Sequence, residues 1–215
     1  MRVWSGLICS LCYWSSAYAI PITFEFRGTV TDVSPFFDFA DTTMFSVGDE
    51  LRGLYTFDNE AVGTPNRSST TGTIYPAVQG LLFTVGNYSG DLGAGMNDFV
   101  YIVNGQTDFY QMNQAFAGPA IGNPAALLPT NFDILLRDGS GTVFDSENLF
   151  SSPPDLTAFT SASWALDFRP AGSGRSAVLS GTLTELTRVT VPEPTTLALL
   201  ALVLAGLGFS RRKQA

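Results

Sequence analysis

The side chains that carry most enzymatic chemistry are missing or misplaced in this chain of 215 residues. It has no histidine, which removes the usual general base, the usual zinc ligand and Ser-His-Asp catalysis. Its one lysine is Lys213, so Schiff-base and Ser-Lys mechanisms have no partner in the body of the chain. The two cysteines, Cys9 and Cys12, lie in an N-terminal apolar stretch, and the rest of the chain forms no disulfide. Gly93-Ala94-Gly95 has no phosphate-binding context and reads as a loop. Carboxylates remain. Two of them ~5 to 9 Å apart can hydrolyse a glycoside. Glu25, Glu50, Glu60, Glu147 and Glu185 are the candidates, but their spacing pairs none of them, and they read as solvated surface acids. Calcium is the metal that acidic turns would take. Asp138-Gly139-Ser140-Gly141 and Asp58-Asn59-Glu60 offer oxygen ligands, yet neither has the spacing of a calcium loop. The expectation is therefore no catalytic residue, no cofactor and no metal. Tyr88, Tyr101, Tyr110 and Trp164 could stack on sugar rings, although Trp164 alternates with Leu166 and Phe168 and reads as core.

The two ends of the chain are more specific. Met1-Arg2-Val3-Trp4 leads into an apolar stretch from Leu7 to Trp14 and then Ser15-Ser16-Ala17-Tyr18-Ala19. This is the order of a secretory signal peptide: a positive start, an apolar core and a small-x-small cleavage site. Ala17 and Ala19 fit the pockets of signal peptidase, and cleavage after Ala19 makes Ile20 the new N-terminus. At the other end Leu197 to Phe209 is an uncharged run rich in helix formers. Its thirteen residues rise only ~20 Å as a helix, against a hydrocarbon core of ~30 Å. Arg211, Arg212 and Lys213 follow it and stay cytoplasmic by the positive-inside bias, so the domain before the helix faces outward. Pro192-Glu193-Pro194 precedes the run. Proline fixes its own φ and pushes the residue before it to extended geometry, which leaves Glu193 open to a protease.

A Pro-Glu-Pro motif, a short apolar helix and a small basic cluster, in that order, make this tail resemble the PEP-CTERM sorting domain. The resemblance covers about 25 residues, Val191 to Ala215. It implies that an exosortase, an integral membrane enzyme, cleaves near the motif and passes the protein toward the cell surface or its polysaccharide matrix. It assigns recognition to Pro192, Glu193 and Pro194, and membrane retention to Arg211, Arg212 and Lys213, with residues 195–210 held in the membrane before processing. The body resembles a loose set of passengers of that family in Phe26-Arg27-Gly28-Thr29-Val30, Val47-Gly48-Asp49, Gly53-Leu54-Tyr55-Thr56-Phe57-Asp58, Gly72-Thr73-Ile74-Tyr75 and Phe83-Thr84-Val85-Gly86. These are strand and turn patterns, and they bring no activity with them.

Composition fits an exported domain. Hydrophobic residues make up 45% and aromatics 13%, enough for a core, while charged residues reach only 14%. Between Ile20 and Pro192 seven arginines face eighteen acids, a net of −11. Such a surface repels phosphate backbones and excludes a nucleic-acid partner. It also keeps a secreted domain in solution.

Alternation at period two marks the strands. Ile22, Phe24, Phe26 and Val30 share one face; so do Leu51, Tyr55 and Phe57 with Gly53 in register; so do Phe132, Ile134 and Leu136; and so do Trp164, Leu166 and Phe168. Leu81 to Val85 and Phe99 to Val103 read as buried strands. Leu179 and Leu183 flank Gly181, and Leu186 and Val189 then fall out of phase, which predicts a bulge. Asp138-Gly139-Ser140-Gly141 predicts a hairpin joining Ile134-Leu136 to Val143-Phe144. Long loops are expected from Asn113 to Asn131 and around Ser151-Ser152-Pro153-Pro154-Asp155. No window between Pro21 and Val191 has helical period.

The reading is an all-β chain with a single antiparallel β-sandwich or jelly-roll-like domain over 20–190. A signal-peptide helix over 1–19 and a short transmembrane helix within the sorting tail 191–215 flank it. First and last strands are expected side by side, so that the last leads into the tail. Functionally it reads as an exported, non-enzymatic surface or matrix protein, transiently anchored in the inner membrane and associated with exopolysaccharide. A carbohydrate-binding module is the alternative, and an extracellular glycoside hydrolase with paired carboxylates a weaker one.

Overall fold

The computed structural model describes residues 21–34, 44–66, 72–94, 98–122, 127–170 and 176–189. Both end segments lie outside that set, and with them Ala17, Ala19, Pro192, Glu193, Pro194, Arg211, Arg212 and Lys213. The described residues form eleven strands: β1 (Ile22–Val33), β2 (Glu50–Phe57), β3 (Thr64–Asn66), β4 (Gly72–Tyr75), β5 (Val78–Val85), β6 (Tyr88–Leu92), β7 (Phe99–Val103), β8 (Asp108–Ala117), β9 (Leu127–Asp138), β10 (Ser161–Pro170) and β11 (Ala177–Arg188). A one-turn 3₁₀ helix, Leu156–Ala158, is the only helical element among them. No helix of the described residues is long and apolar enough to cross a membrane.

All pairings are antiparallel, and they close on themselves. Around the ring the order is β8-β6-β5-β2-β1-β11-β10-β9, with β9 pairing back onto β8. One edge of β8 is shared: β7 takes Phe109 to Asn113 and β6 takes Phe116 and Ala117. β4 and β3 extend outward from β7 as a short wing. The all-β antiparallel reading holds, but the sheet is an eight-stranded barrel rather than the two facing sheets of a sandwich or jelly roll. Alternation puts one face of each strand inside in either architecture, so it does not choose between them. The β8–β9 ladder, from Asp108↔Asp138 to Ala115↔Asn131, makes the choice.

An eight-stranded barrel has an interior just wide enough for side chains to fill. Here aromatics fill it. Phe132 stacks between Phe26 and Phe83, with ring centroids 5.2 and 5.1 Å apart. Tyr55 and Tyr110, both buried, meet through their hydroxyls at 3.0 Å. Outward positions carry Thr23, Glu25 and Arg27 on β1 and Arg52 on β2. This polarity, apolar within and polar without, is the reverse of that of a transmembrane barrel with a polar lumen.

Trp164 shows how closely the interior is packed. Its indole lies over two glycines on neighbouring strands. A Cβ on Gly28 would stand 2.5 Å from Trp164 Nε1, and one on Gly181 would stand 2.8 Å from Trp164 Cε2 and collide with the Thr29 carbonyl. The β5–β6 hairpin turns on Gly86-Asn87, with Gly86 at φ 53°, a left-handed conformation that suits glycine.

β1 and β11 lie side by side as expected, from Phe24↔Arg188 to Val33↔Leu179. The out-of-phase end of β11 is a bulge: Arg27 faces Glu185 and Gly28 faces Leu183, so Thr184 is the extra residue. Three expectations are corrected. Asp138-Gly139-Ser140-Gly141 makes no hairpin to Val143-Phe144, because β9 pairs with β10 instead, Arg137 against Ser161. The region 139–160 is a loop folded over the barrel end, with Phe144 packed on Phe150 and Phe159. Both ends of the expected Asn113 to Asn131 loop are strand, since β8 runs to Ala117 and β9 starts at Leu127. Leu81 to Val85 is buried on one face only, with Leu82 57% exposed.

Candidate functional site

Small outward side chains leave the barrel wall low along β10 and β11. Ser161, Ser163 and Ala165 face out from β10, and Ser180, Thr182 and Thr184 from β11. The 3₁₀ helix rises over β11, held by Asp155, whose carboxylate accepts from Thr157 N at 2.9 Å. That bond and the one from the Thr157 hydroxyl pull the Asp155 carboxyl below its ordinary range. Gln111 and Leu135 rise on the opposite side, and between them lies an open groove of about 910 Å³.

Among the residues lining the groove, Asp133 is the one carboxylate. Its Oδ1 accepts from Gln111 Nε2 at 2.8 Å and from Asn113 Nδ2 at 2.7 Å, which holds it in place. Asp167 is its diagonal neighbour on the outer wall, since Ala165 faces Asp133 and Asp167 faces Asn131. Burial first, and the Asp133 charge second, lift the Asp167 carboxyl above its ordinary range. Hydroxyls that both donate and accept, a fixed anionic acceptor and apolar patches at Leu135 and Phe159 suit a polyhydroxylated ligand. Two-carboxylate glycoside hydrolysis needs a pair flanking the scissile bond. Of these two carboxylates, Asp133 lines the groove and Asp167 does not.

The carboxylates singled out from sequence are engaged or apart. Glu25 and Glu185 share Arg27, at 2.9 and 3.4 Å. Glu50 pairs with Arg52 at 2.6 Å, and that hydrogen bond lowers its pKa. Glu147 accepts from the Thr73 hydroxyl and so ties the 139–160 loop to β4. Glu60 is exposed in the turn after β2, where Asp58 Oδ1 accepts from Glu60 N at 2.9 Å. Of the four aromatics considered for sugar stacking, Tyr88, Tyr110 and Trp164 are buried. Tyr101 alone lies on the outer wall, edge-on to Phe109, with Arg137 over the Phe109 ring at 5.7 Å.

A pair of acids that sequence spacing does not reveal stands at the end of the barrel. Asp108 and Asp138 face each other across β8 and β9, and both are buried. Like charges directly opposite are unfavourable unless each is satisfied. Asp108 accepts from Gly105 N, Val143 N and Phe144 N at 3.2, 2.7 and 2.8 Å. Asp138 accepts from the Ser140 hydroxyl at 2.6 Å, Ser140 N at 3.0 Å and Thr142 N at 3.1 Å, and these bonds lower its pKa. Both acids therefore fix the 139–160 loop, and the Asp138 turn spends its oxygens on protein donors. No group of three or more acidic side chains that could hold a metal occurs among the described residues.

The chain leaves the barrel at one pole. β1 begins and β11 ends there, and Val189 N donates to the Thr23 carbonyl at 2.9 Å as the last described bond of β11's path. The 139–160 loop covers this pole, and Arg188 donates to the Ser151 carbonyl at 2.9 Å. Residues 190–213 follow directly and match the family model for the PEP-CTERM protein-sorting motif. Searches of curated proteins and of solved structures returned no match. The match takes in Pro192-Glu193-Pro194 and Arg211-Arg212-Lys213, and it implies an exported protein, processed by an exosortase and sorted at the membrane toward the cell surface. The chain is a PEP-CTERM motif-containing protein whose motif begins one residue beyond the last described residue of its barrel.

Proposed function

We propose that this is a non-enzymatic surface or matrix protein: a barrel exported through a signal peptide, released from its tail by an exosortase and lodged in exopolysaccharide. The observation that carries the reading is the sorting motif at 190–213, joined without a spacer to a folded domain. Signal peptidase acts at Ala17 and Ala19. Residues 195–210 hold the precursor in the membrane, and Pro192, Glu193 and Pro194 present the tail to the exosortase. The prediction is that Glu193→Ala leaves the protein uncleaved in the membrane. Intact-mass analysis of surface material checks it, and a surface form that still carries Arg211-Arg212-Lys213 overturns it.

The groove on β9, β10 and β11 favours a carbohydrate-binding role within the same reading. Polysaccharide would lie across Ser163 and Thr182 with Asp133 accepting its hydroxyls. The mature barrel is expected to bind immobilised exopolysaccharide, and Ser163→Phe, which fills the groove, to abolish binding without lowering the melting temperature. Equal binding by that variant removes the groove from the reading, and release of reducing ends from bound glycan overturns the non-enzymatic assignment.

A further inference from the structure

We propose that the barrel pole where β1 begins and β11 ends is a docking face for the sorting enzyme, and that it fits an exosortase with a basic outer rim. The inference rests on the exosortase reading above and adds to it where the enzyme touches the passenger. The argument is one of length. Val189 is bonded to β1 through the Thr23 carbonyl. Pro192 lies three residues further on, a reach of at most about 11 Å for fully extended chain. A domain of this size has a radius of gyration of about 15 Å. An enzyme that closes around Pro192-Glu193-Pro194 therefore cannot clear the barrel and must rest against its pole.

The pole has a definite character. The turn after β2 presents exposed Glu60 and, two residues on, Val62 at 85% exposure. The turn lies beside the chain exit, because Phe57 pairs with Ile22. The 139–160 loop, which joins β9 to β10 at this pole, adds exposed Asp145 and Asp155. Two described arginines stand at this pole: Arg188 is turned onto the Ser151 carbonyl, and Arg137 lies over the Phe109 ring. An acidic face with an apolar point selects a partner surface of opposite charge.

The test uses the full-length precursor made together with its exosortase, with the rate of tail removal followed by pulse-chase and mass. Glu60→Lys with Asp145→Lys is expected to slow processing on the order of tenfold at the native spacing. The same pair in a chain carrying a roughly twelve-residue Gly/Ser insert after Thr190 is expected to be processed at the rate of the inserted parent, because such a linker spans about 19 Å and frees the motif from the pole. An unchanged melting temperature of the double variant shows that the barrel is intact. Wild-type processing of the double variant at native spacing overturns docking, as does an equal loss in the spacer chain. A blocked Glu193→Ala beside an unaffected double variant sinks docking alone, whereas normal processing of Glu193→Ala sinks the exosortase reading and docking with it.

Discussion

Trp164 and its two glycines show what a single methyl group decides in this barrel. Tryptophan occurs at positions 4, 14 and 164, so in a chain beginning at Ile20 the buried Trp164 is the sole indole. Its Nε1 finds no hydrogen-bond acceptor in the described structure, and burying it that way has a cost offset by its contact area. Gly181→Ala places a Cβ against backbone, the Thr29 carbonyl, and against the indole, neither of which can move freely. Overpacking of this kind costs about 1–3 kcal/mol. The expected result is a lower denaturation midpoint with a shifted Trp164 emission. Gly105→Ala, whose Cβ meets nothing within 4 Å, serves as the neutral control. A Gly181→Ala barrel as stable as wild type would refute the packing described for Trp164.

At the scale of elements, the strands were legible wherever one face is buried and the other wet. β1 alternates buried and half-buried residues from Ile22 to Val30, and β10 does so from Trp164 to Phe168, so period-two patterning located both. The bulge in β11 was legible for the same reason, since one extra residue, Thr184, shifts the phase of Leu186 against Leu183. Partner choice was not legible. Asp138-Gly139-Ser140-Gly141 has the composition of a hairpin turn, yet Asp138 spends its carboxylate on Ser140 and Thr142 and the chain continues as a loop. β8 was hidden because its inward face includes Gln114, which donates to the Ala115 carbonyl, and so breaks the apolar alternation. The groove was hidden too: its serines and threonines are unremarkable along the chain, and only neighbouring strands set them side by side.

Across the described barrel four tyrosines, Tyr55, Tyr75, Tyr88 and Tyr110, are buried, and that sets its alkaline limit. Burial lifts the hydroxyls of Tyr55, Tyr110, Tyr88 and Tyr75 above the ordinary 10.0, Tyr88 to about 12. Burial is the first cause in each; the Tyr110 and Glu147 charges add to it at Tyr55 and Tyr75. A phenol whose folded pKa exceeds its unfolded one supports the fold fully below the unfolded value, and that support is lost as pH rises toward the folded value. The barrel is therefore expected to hold a constant urea midpoint up to pH ~10 and to lose stability from there toward pH 12. Phenolate absorbance should rise together with unfolding. A midpoint unchanged between pH 8 and pH 12 would refute the burial of these hydroxyls.

The sequence by itself determined the address. Pro192-Glu193-Pro194, the apolar run and Arg211-Arg212-Lys213 are recognised by their order along one stretch of sequence, so their meaning survives without a fold. It also determined that the body is β, because alternation is a property of each strand alone. Only the tertiary structure decided that β8 closes onto β9, that the groove lies across β9, β10 and β11, and that both ends leave one acidic pole. Closure, groove and pole are relations between residues far apart in the chain, fixed by which edge pairs with which, and single-strand patterning carries no record of that choice.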